Sequence, residues 1–221
     1  MDEVVEQAPD FTRARSARNK ATRRAQLLSA AKSAIEEVGL DAVNMEDVAT
    51  AAGITKSAFY RYFSSKDELF AHVLLSEMDA ITDALATRLP ELTTIDDLAA
   101  NMASVCADHP IGCALISSLS RTIDKNVSED RLVEIKRGYA KALAAWSELI
   151  AATHLPLDPA GSAELAKSIY AMIAGLWPLT RDKPLNRKAA ETAEFSATFG
   201  ELESELANHI ARQAKGIVAS A

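Results

Sequence analysis

Apolar positions recur every three to four residues along most of the chain, and no stretch alternates with a period of two. Leu27, Leu28, Ala31, Ile35 and Val38 share one side of a helix expected from about Lys20 to Val38, which Gly39 ends. Met45, Val48 and Ala49 form the i, i+3, i+4 face of a shorter helix, which Asn44 caps with Asp47 in a capping-box-like relation. Phe59 and Phe63 pair at i, i+4 on a helix read as Lys56–Phe63. Ser65 with Glu68 opens a helix from Lys66 to about Leu89, where Pro90 stops it. Thr94 with Asp97 opens another that ends near His109-Pro110, and the next runs to about Ile123. Leu132, Ile135, Tyr139, Leu143, Trp146 and Ile150 keep helical register between Ser128 and about Thr153. Asp158-Pro159 places a cap and a first-turn proline before a helix to about Trp177, and Pro178 and Pro184 bracket a loop. Phe195, Phe199, Leu202, Leu206 and Ile210 form one stripe of a last helix, Arg187 to Ile217. The pattern predicts an all-α protein of about nine helices, with a three-helix N-terminal domain before a C-terminal helical bundle.

Composition agrees: 48% of the 221 residues are hydrophobic, with only eight Gly and seven Pro, which favours helix and supplies a large core. The formal net charge of −7 argues against nucleic-acid binding until its distribution is read. Residues 11–35 hold Arg13, Arg15, Arg18, Lys20, Arg23, Arg24 and Lys32 with no acid, and residues 48–66 add Lys56, Arg61 and Lys66, again with no acid. Residues 66–221 hold 15 bases and 22 acids. A basic N-terminal face on an acidic body is the charge footprint of a nucleic-acid binder.

The richest stretch is NMEDVATAAGITKSAFYRYFSSK, residues 44–66. Gly53 stands where the chain must turn with positive φ, Ile54 plugs the corner, and Thr55 is a good N-cap for the following helix. With Phe59 and Phe63 inward, Lys56, Ser57, Tyr60 and Arg61 face outward. Cations and hydroxyls on a short exposed helix suit a phosphate-lined groove, so this is read as a helix-turn-helix with a DNA-reading second helix.

The run Gly39, Val48-Ala49, Ala52-Gly53-Ile54-Thr55, Tyr60, Tyr62-Phe63, Lys66 and Leu69 resembles the N-terminal domain of tetracycline-repressor (TetR) type bacterial regulators over about residues 20 to 75. The chain departs from that pattern at Ser57 and Ala58, where the family often has Gly and Thr. Ser57 keeps the position small, and Ala58 removes a hydroxyl. The resemblance implies phosphate contacts from Tyr60, Tyr62 and Lys66. The exposed face makes Lys56, Ser57 and Arg61 base readers, and Thr55 either caps or also touches a phosphate. Arg13, Arg15 and Arg18 form either a minor-groove arm or a polar tail. The implied organisation is a flexible basic arm at 1–18, a DNA-binding domain at 19–65 and a ligand-binding and dimerisation domain at 66–221. The implied function is a ligand-responsive homodimeric regulator, a repressor of a double-stranded DNA operator with a small-molecule effector. The alternative is an all-helical protein-binding scaffold whose helix-turn-helix is only a packing unit.

Among the later helices, Met102, Tyr139, Trp146, Tyr170, Met172 and Trp177 are candidates to line an effector pocket, with core packing as the rival for each. Ile169 and Ile173, with Phe195, Phe199, Leu202 and Leu206, are candidates for a four-helix dimer interface; the rival is that this stripe closes the monomer core. Cys106, His109 and Cys113 have a metal-like spacing, but Pro110 interrupts it and a closed zinc site wants a fourth ligand, so no metal is expected. Either cysteine is a core residue or a thiol sensor. The dispersed histidines and the lack of a nucleophile elbow, P-loop or dinucleotide glycine motif point away from an enzyme, and no cofactor is expected. There is no apolar leader and no run near ~20 apolar residues, so a cytoplasmic protein with no membrane contact is expected.

Overall fold

The computed structural model describes residues 9–181, 188, 192 and 200–220, with side chains from Arg18 onward. The described residues form nine helices and no strand. They are α1 (Pro9–Val38), α2 (Met45–Ala51), α3 (Lys56–Phe59), α4 (Lys66–Arg88), α5 (Ile95–Ala107), α6 (Pro110–Asn126), α7 (Glu129–Ala151), α8 (Pro159–Thr180) and α9 (Leu202–Ser220). Contacts divide the chain into two compact units, 1–69 and 70–221. The division falls inside α4, whose first turn is tied into unit 1. Lys66 Nζ donates to Val43 O (2.9 Å), and Glu68 Oε2 accepts from both N–H and Oγ of Ser64 (2.6 Å each).

Unit 1 packs α1, α2 and α3 around Leu27, Ala31, Val48, Ala49, Phe59 and Phe63, all buried. Helix α1 begins at Pro9, well before Lys20, so the segment expected as a flexible arm is helical from residue 9. Pro9 takes the first helical position, where its missing N–H costs nothing, and neither Gly nor Pro interrupts the chain before Gly39. Val38, expected inward, is 53% exposed, since α1 ends there and Gly39 turns away at φ +78°.

The caps follow local chemistry. Asn44 accepts from Glu46 N, Thr94 from Asp97 N, Asp158 from Gly161 N and Ser65 from Glu68 N. The capping box at Ser65 is not reciprocal, because the Glu68 carboxylate turns to Ser64 instead.

In unit 2, α9 packs on α5 and α8, while α8 also packs on α6 and α7. Helices α4 and α7 approach so closely that a Cβ on Gly138 would lie 2.7 Å from Leu75 Cδ2. Trp146, fully buried, donates its indole N–H to Thr82 Oγ1 (3.0 Å), joining α7 to α4. Helix α8 continues through Pro178 to Thr180 rather than stopping at Trp177. A proline in the last turn deletes one backbone donor, and Thr180 Oγ1 bonds back to Leu176 O (3.1 Å).

The last helix starts at Leu202, not as part of a continuous Arg187–Ile217 helix. Gly200 and Glu201 are non-helical, and the Glu205 carboxylate accepts from Gly200 N (2.8 Å), which caps the start of α9. Phe195, Phe199 and Pro184 lie outside the described residues.

Among the described residues no single helix is long and apolar enough to cross a membrane. Helices α5 and α6 reach that length and apolarity only as a pair bent by 85°, and most of their apolar residues are buried within unit 2.

Candidate nucleic-acid interface

The turn between α2 and α3 is built by backbone bonds. Ala52 caps α2, Gly53 N donates to Thr50 O (2.9 Å) and Ile54 N to Ala49 O (2.9 Å), the paired bonds of a Schellman motif. Gly53 takes φ +69° at the position that motif reserves for the left-handed region. Thr55 then caps α3, its hydroxyl accepting from Ala58 N at 3.2 Å and lying 3.0 Å from Ser57 Oγ.

Helix α3 is shorter than expected. It ends at Phe59, and a tightened turn carries the chain on, with Arg61 N on Ala58 O (3.2 Å) and Tyr62 N on Phe59 O (2.8 Å). Four aromatic residues among positions 59–63 are modest helix formers, and i→i+3 bonds commonly close a last turn. The inward pair holds, with Phe59 and Phe63 ring centroids 5.9 Å apart and both rings buried.

The structure exposes Thr55, Lys56, Ser57, Tyr60 and Arg61 together, with Tyr62 and Lys66 half-buried beside them. Tyr60 is 52% exposed and meets Phe59 edge-on at 5.3 Å. Lys56 is not clear of acid: its ammonium lies 3.6 Å from Glu46 on α2, and both side chains are exposed. Lys66 Nζ donates to Val43 O (2.9 Å), which sets its stem against the loop before α2.

Two bases of the N-terminal segment face the protein. Arg23 Nη1 donates to Ala52 O (2.8 Å) and Arg24 Nη1 to Tyr62 O (2.8 Å), while the Arg24 guanidinium lies 4.4 Å from the centre of the Phe63 ring. Charge alone groups them with the outward bases. The legible signal was register, because Arg23 stands one turn before Leu27, at the head of the buried series Leu27, Ala31, Ile35. Arg18 is exposed, and the side chains of Arg13 and Arg15 lie outside the described residues.

The effector candidates scatter. Met102 and Trp146 are fully buried core. Tyr139 lies on α7 and Tyr170 on α8, two helices that pack together. Burial pushes both phenols above their ordinary range, and the neighbouring Tyr170 pushes Tyr139 further. Tyr139 Oη is buried with no hydrogen-bond partner among the described residues. Met172 is half-buried. Trp177 instead lines a cleft of about 550 Å³ with Pro110, Thr180 and Leu202, its ring 5.0 Å from the Arg181 guanidinium.

For four of the six dimer candidates the rival reading, closure of the monomer core, has the support of burial. Ile169, Ile173 and Leu206 have no exposed surface and Leu202 keeps 9%, so the first three close the core of one chain and Leu202 lies at its edge. A side chain wholly enclosed by its own chain has nothing to give a partner.

Cys106 and Cys113 are also core. Burial pushes the Cys106 thiol up to about 12 and the Cys113 thiol well above its ordinary range, helped by Cys106 and Glu77. Cys113 Sγ donates to Cys106 O (3.2 Å), while His109 turns to Glu77 (3.4 Å). Among the described residues no group of three or more His, Cys, Asp or Glu is placed to hold a metal.

Two family profiles cover nearly all of this architecture: "Bacterial regulatory proteins, tetR family" over residues 27–73, and "Tetracyclin repressor-like, C-terminal domain" over residues 75–221. The transcriptional regulator BetI of Burkholderia mallei is 30% identical over 176 residues, 76% of this chain and 87% of BetI. The transcriptional activator FasR of Mycolicibacterium smegmatis is 37% identical over 71 residues, only 32% of either chain. A TetR regulator structure from Rhodococcus sp. RHA1 shares the fold with a TM-score of 0.58 at 17% identity, covering 90% of this chain and 97% of that one.

Proposed function

The chain belongs to the TetR family of bacterial transcriptional regulators, and on that premise we propose that it is a ligand-responsive dimeric repressor of a pseudo-palindromic operator. The observation that carries this reading is the solvent face of residues 55–61. Its own residues supply two cations and three hydroxyl groups, with Glu46 of α2 beside Lys56 as the one neighbouring acid among the ion pairs of the described residues, and it is set on a helix-turn-helix with a complete Schellman turn. Lys56, Ser57 and Arg61 read bases, Tyr60, Tyr62 and Lys66 hold phosphates, and Thr55 caps the helix that presents them. The functional division lies near residue 65, with the DNA-binding part before it and the effector and dimer part after it. Repression is the mode typical of the family, whose members are regulators rather than enzymes, and such a protein works in the cytoplasm, where the chromosome is.

One helix-turn-helix contacts too little DNA for a specific site, so two copies must read two half-sites about 34–36 Å apart. With the inner faces of α8 and α9 occupied, the pairing surface is the outer face of α8. There Ala171, Gly175 and Leu179 are exposed, Leu179 by 53%. The effector binds beside Tyr139 and Tyr170, where the Tyr139 hydroxyl offers a donor to a flat or apolar molecule with one acceptor. Helix α4 has residues in both units and is the lever through which effector and operator oppose each other. The expected coupling is ~1–3 kcal/mol and is reciprocal.

The test is the salt dependence of duplex binding. On an operator selected from random duplexes, log affinity falls linearly with log salt, by about 0.9 per phosphate contact. A protein-binding scaffold would show no such slope on any duplex, and that result would end this reading.

A further inference from the structure

The two adjacent arginines of α1 are tied to opposite ends of the recognition segment. Arg23 Nη1 donates to the carbonyl of Ala52, the C-cap of α2 and the last helical carbonyl before the Gly53 turn. Its guanidinium covers that turn closely: a Cβ placed on Gly53 would lie 3.9 Å from Arg23 Nη1. Arg24 Nη1 donates to the carbonyl of Tyr62, just past the turn that ends the segment, and its guanidinium rests on the face of the buried Phe63. Both carbonyls sit where helical turns end and no following amide continues the ladder, the positions at which a cation and a free carbonyl attract most. Helix α3 has only four residues, too few to hold its own direction.

We infer that Arg23 and Arg24 are positioning residues for DNA reading: they clamp the start and the end of the recognition segment to α1 and do not themselves neutralise phosphate. The inference rests on the DNA-binding reading above. A planar guanidinium can stack on Phe63 and donate in its own plane at once, which a lysine ammonium cannot. The clamp therefore depends on shape and donor direction, whereas a phosphate contact depends mainly on charge.

That difference sets the experiment. Arg24→Lys and Arg24→Gln, with Arg23→Gln as an independent second site, are compared with the unaltered protein on the selected operator and on an unrelated duplex, across salt concentrations. Each is measured at a temperature where circular dichroism shows it folded. A loosened recognition segment lowers operator affinity roughly tenfold in all three variants, lowers unrelated-duplex affinity little, and leaves the salt slope unchanged. A residue that served stability alone would leave the operator-to-unrelated ratio intact in the folded variants, and that result overturns the inference. So does a slope reduced by about 0.9 in Arg24→Gln but kept in Arg24→Lys, which marks a phosphate contact. If the unaltered protein shows no salt-dependent duplex binding, the DNA-binding reading fails, and the clamp as a DNA-reading device fails with it.

Discussion

Lys56 on α3 faces Glu46 on α2 across 3.6 Å, so a side chain proposed to read DNA is held by a carboxylate in the unbound protein. Both groups are well exposed, and such pairs contribute only about 0–1 kcal/mol to stability. The pair therefore matters more to binding than to folding. Glu46 competes with DNA for Lys56 and repels nearby phosphates.

Glu46→Gln should leave the unfolding midpoint almost unchanged and raise affinity several-fold for the selected operator but less for an unrelated duplex, as Lys56 becomes available to a base edge. Fluorescence anisotropy reads both affinities. Equal or weaker binding would show that Glu46 does not restrain Lys56.

Tyr139 carries a buried hydroxyl with no partner among the described residues, and removing a stranded polar group recovers its desolvation cost. Tyr139→Phe should raise the stability of the effector-free protein by ~1 kcal/mol in urea unfolding. The same substitution should weaken an effector that bonds to that hydroxyl by a further ~1 kcal/mol. A destabilised Tyr139→Phe protein would mean the hydroxyl is satisfied after all.

Leu206 and Leu179 separate folding from assembly. Leu206 is fully enclosed in α9, so Leu206→Asp buries an unpaired carboxylate and should cost several kcal/mol, leaving little folded protein. Leu179, exposed on α8, should tolerate Asp without loss of helicity but shift the protein from dimer to monomer in sedimentation. A folded, dimeric Leu179→Asp protein would place the pairing surface elsewhere.

The thiols set an alkaline limit. Cys106 moves from an ordinary 9.0 to about 12 on folding. A raised pKa of this kind means the folded state favours the protonated thiol. Its stabilising effect is complete below pH 9 and is lost as pH rises from about 9 towards 12. Urea midpoints should fall over that window, and Cys106→Ala should fall less steeply. Neither thiol should react with Ellman's reagent at pH 8 until the chain unfolds. Rapid labelling of the folded protein would revive the thiol-sensor reading.

Features that depend on near neighbours are legible in the chain. Asn44, Ser65, Thr94 and Asp158 cap where they do because each oxygen reaches an amide two or three residues on. Gly53 takes its turn because only the left-handed region closes that motif, and the four outward side chains follow once Phe59 and Phe63 point in. Tertiary structure decided what depends on distant partners. Arg23 and Arg24 look like further surface bases until carbonyls 29 and 38 residues away are brought beneath them. Ile169, Ile173 and Leu206 have the apolar spacing of an interface and of a core alike. Helical periodicity says which side of a helix is apolar, but not whether its own chain or another covers it. Only the packing of α9 on α5 and α8 chose the core for Leu206, because a helix face can be buried once and the nearest apolar surface in the folded chain took it.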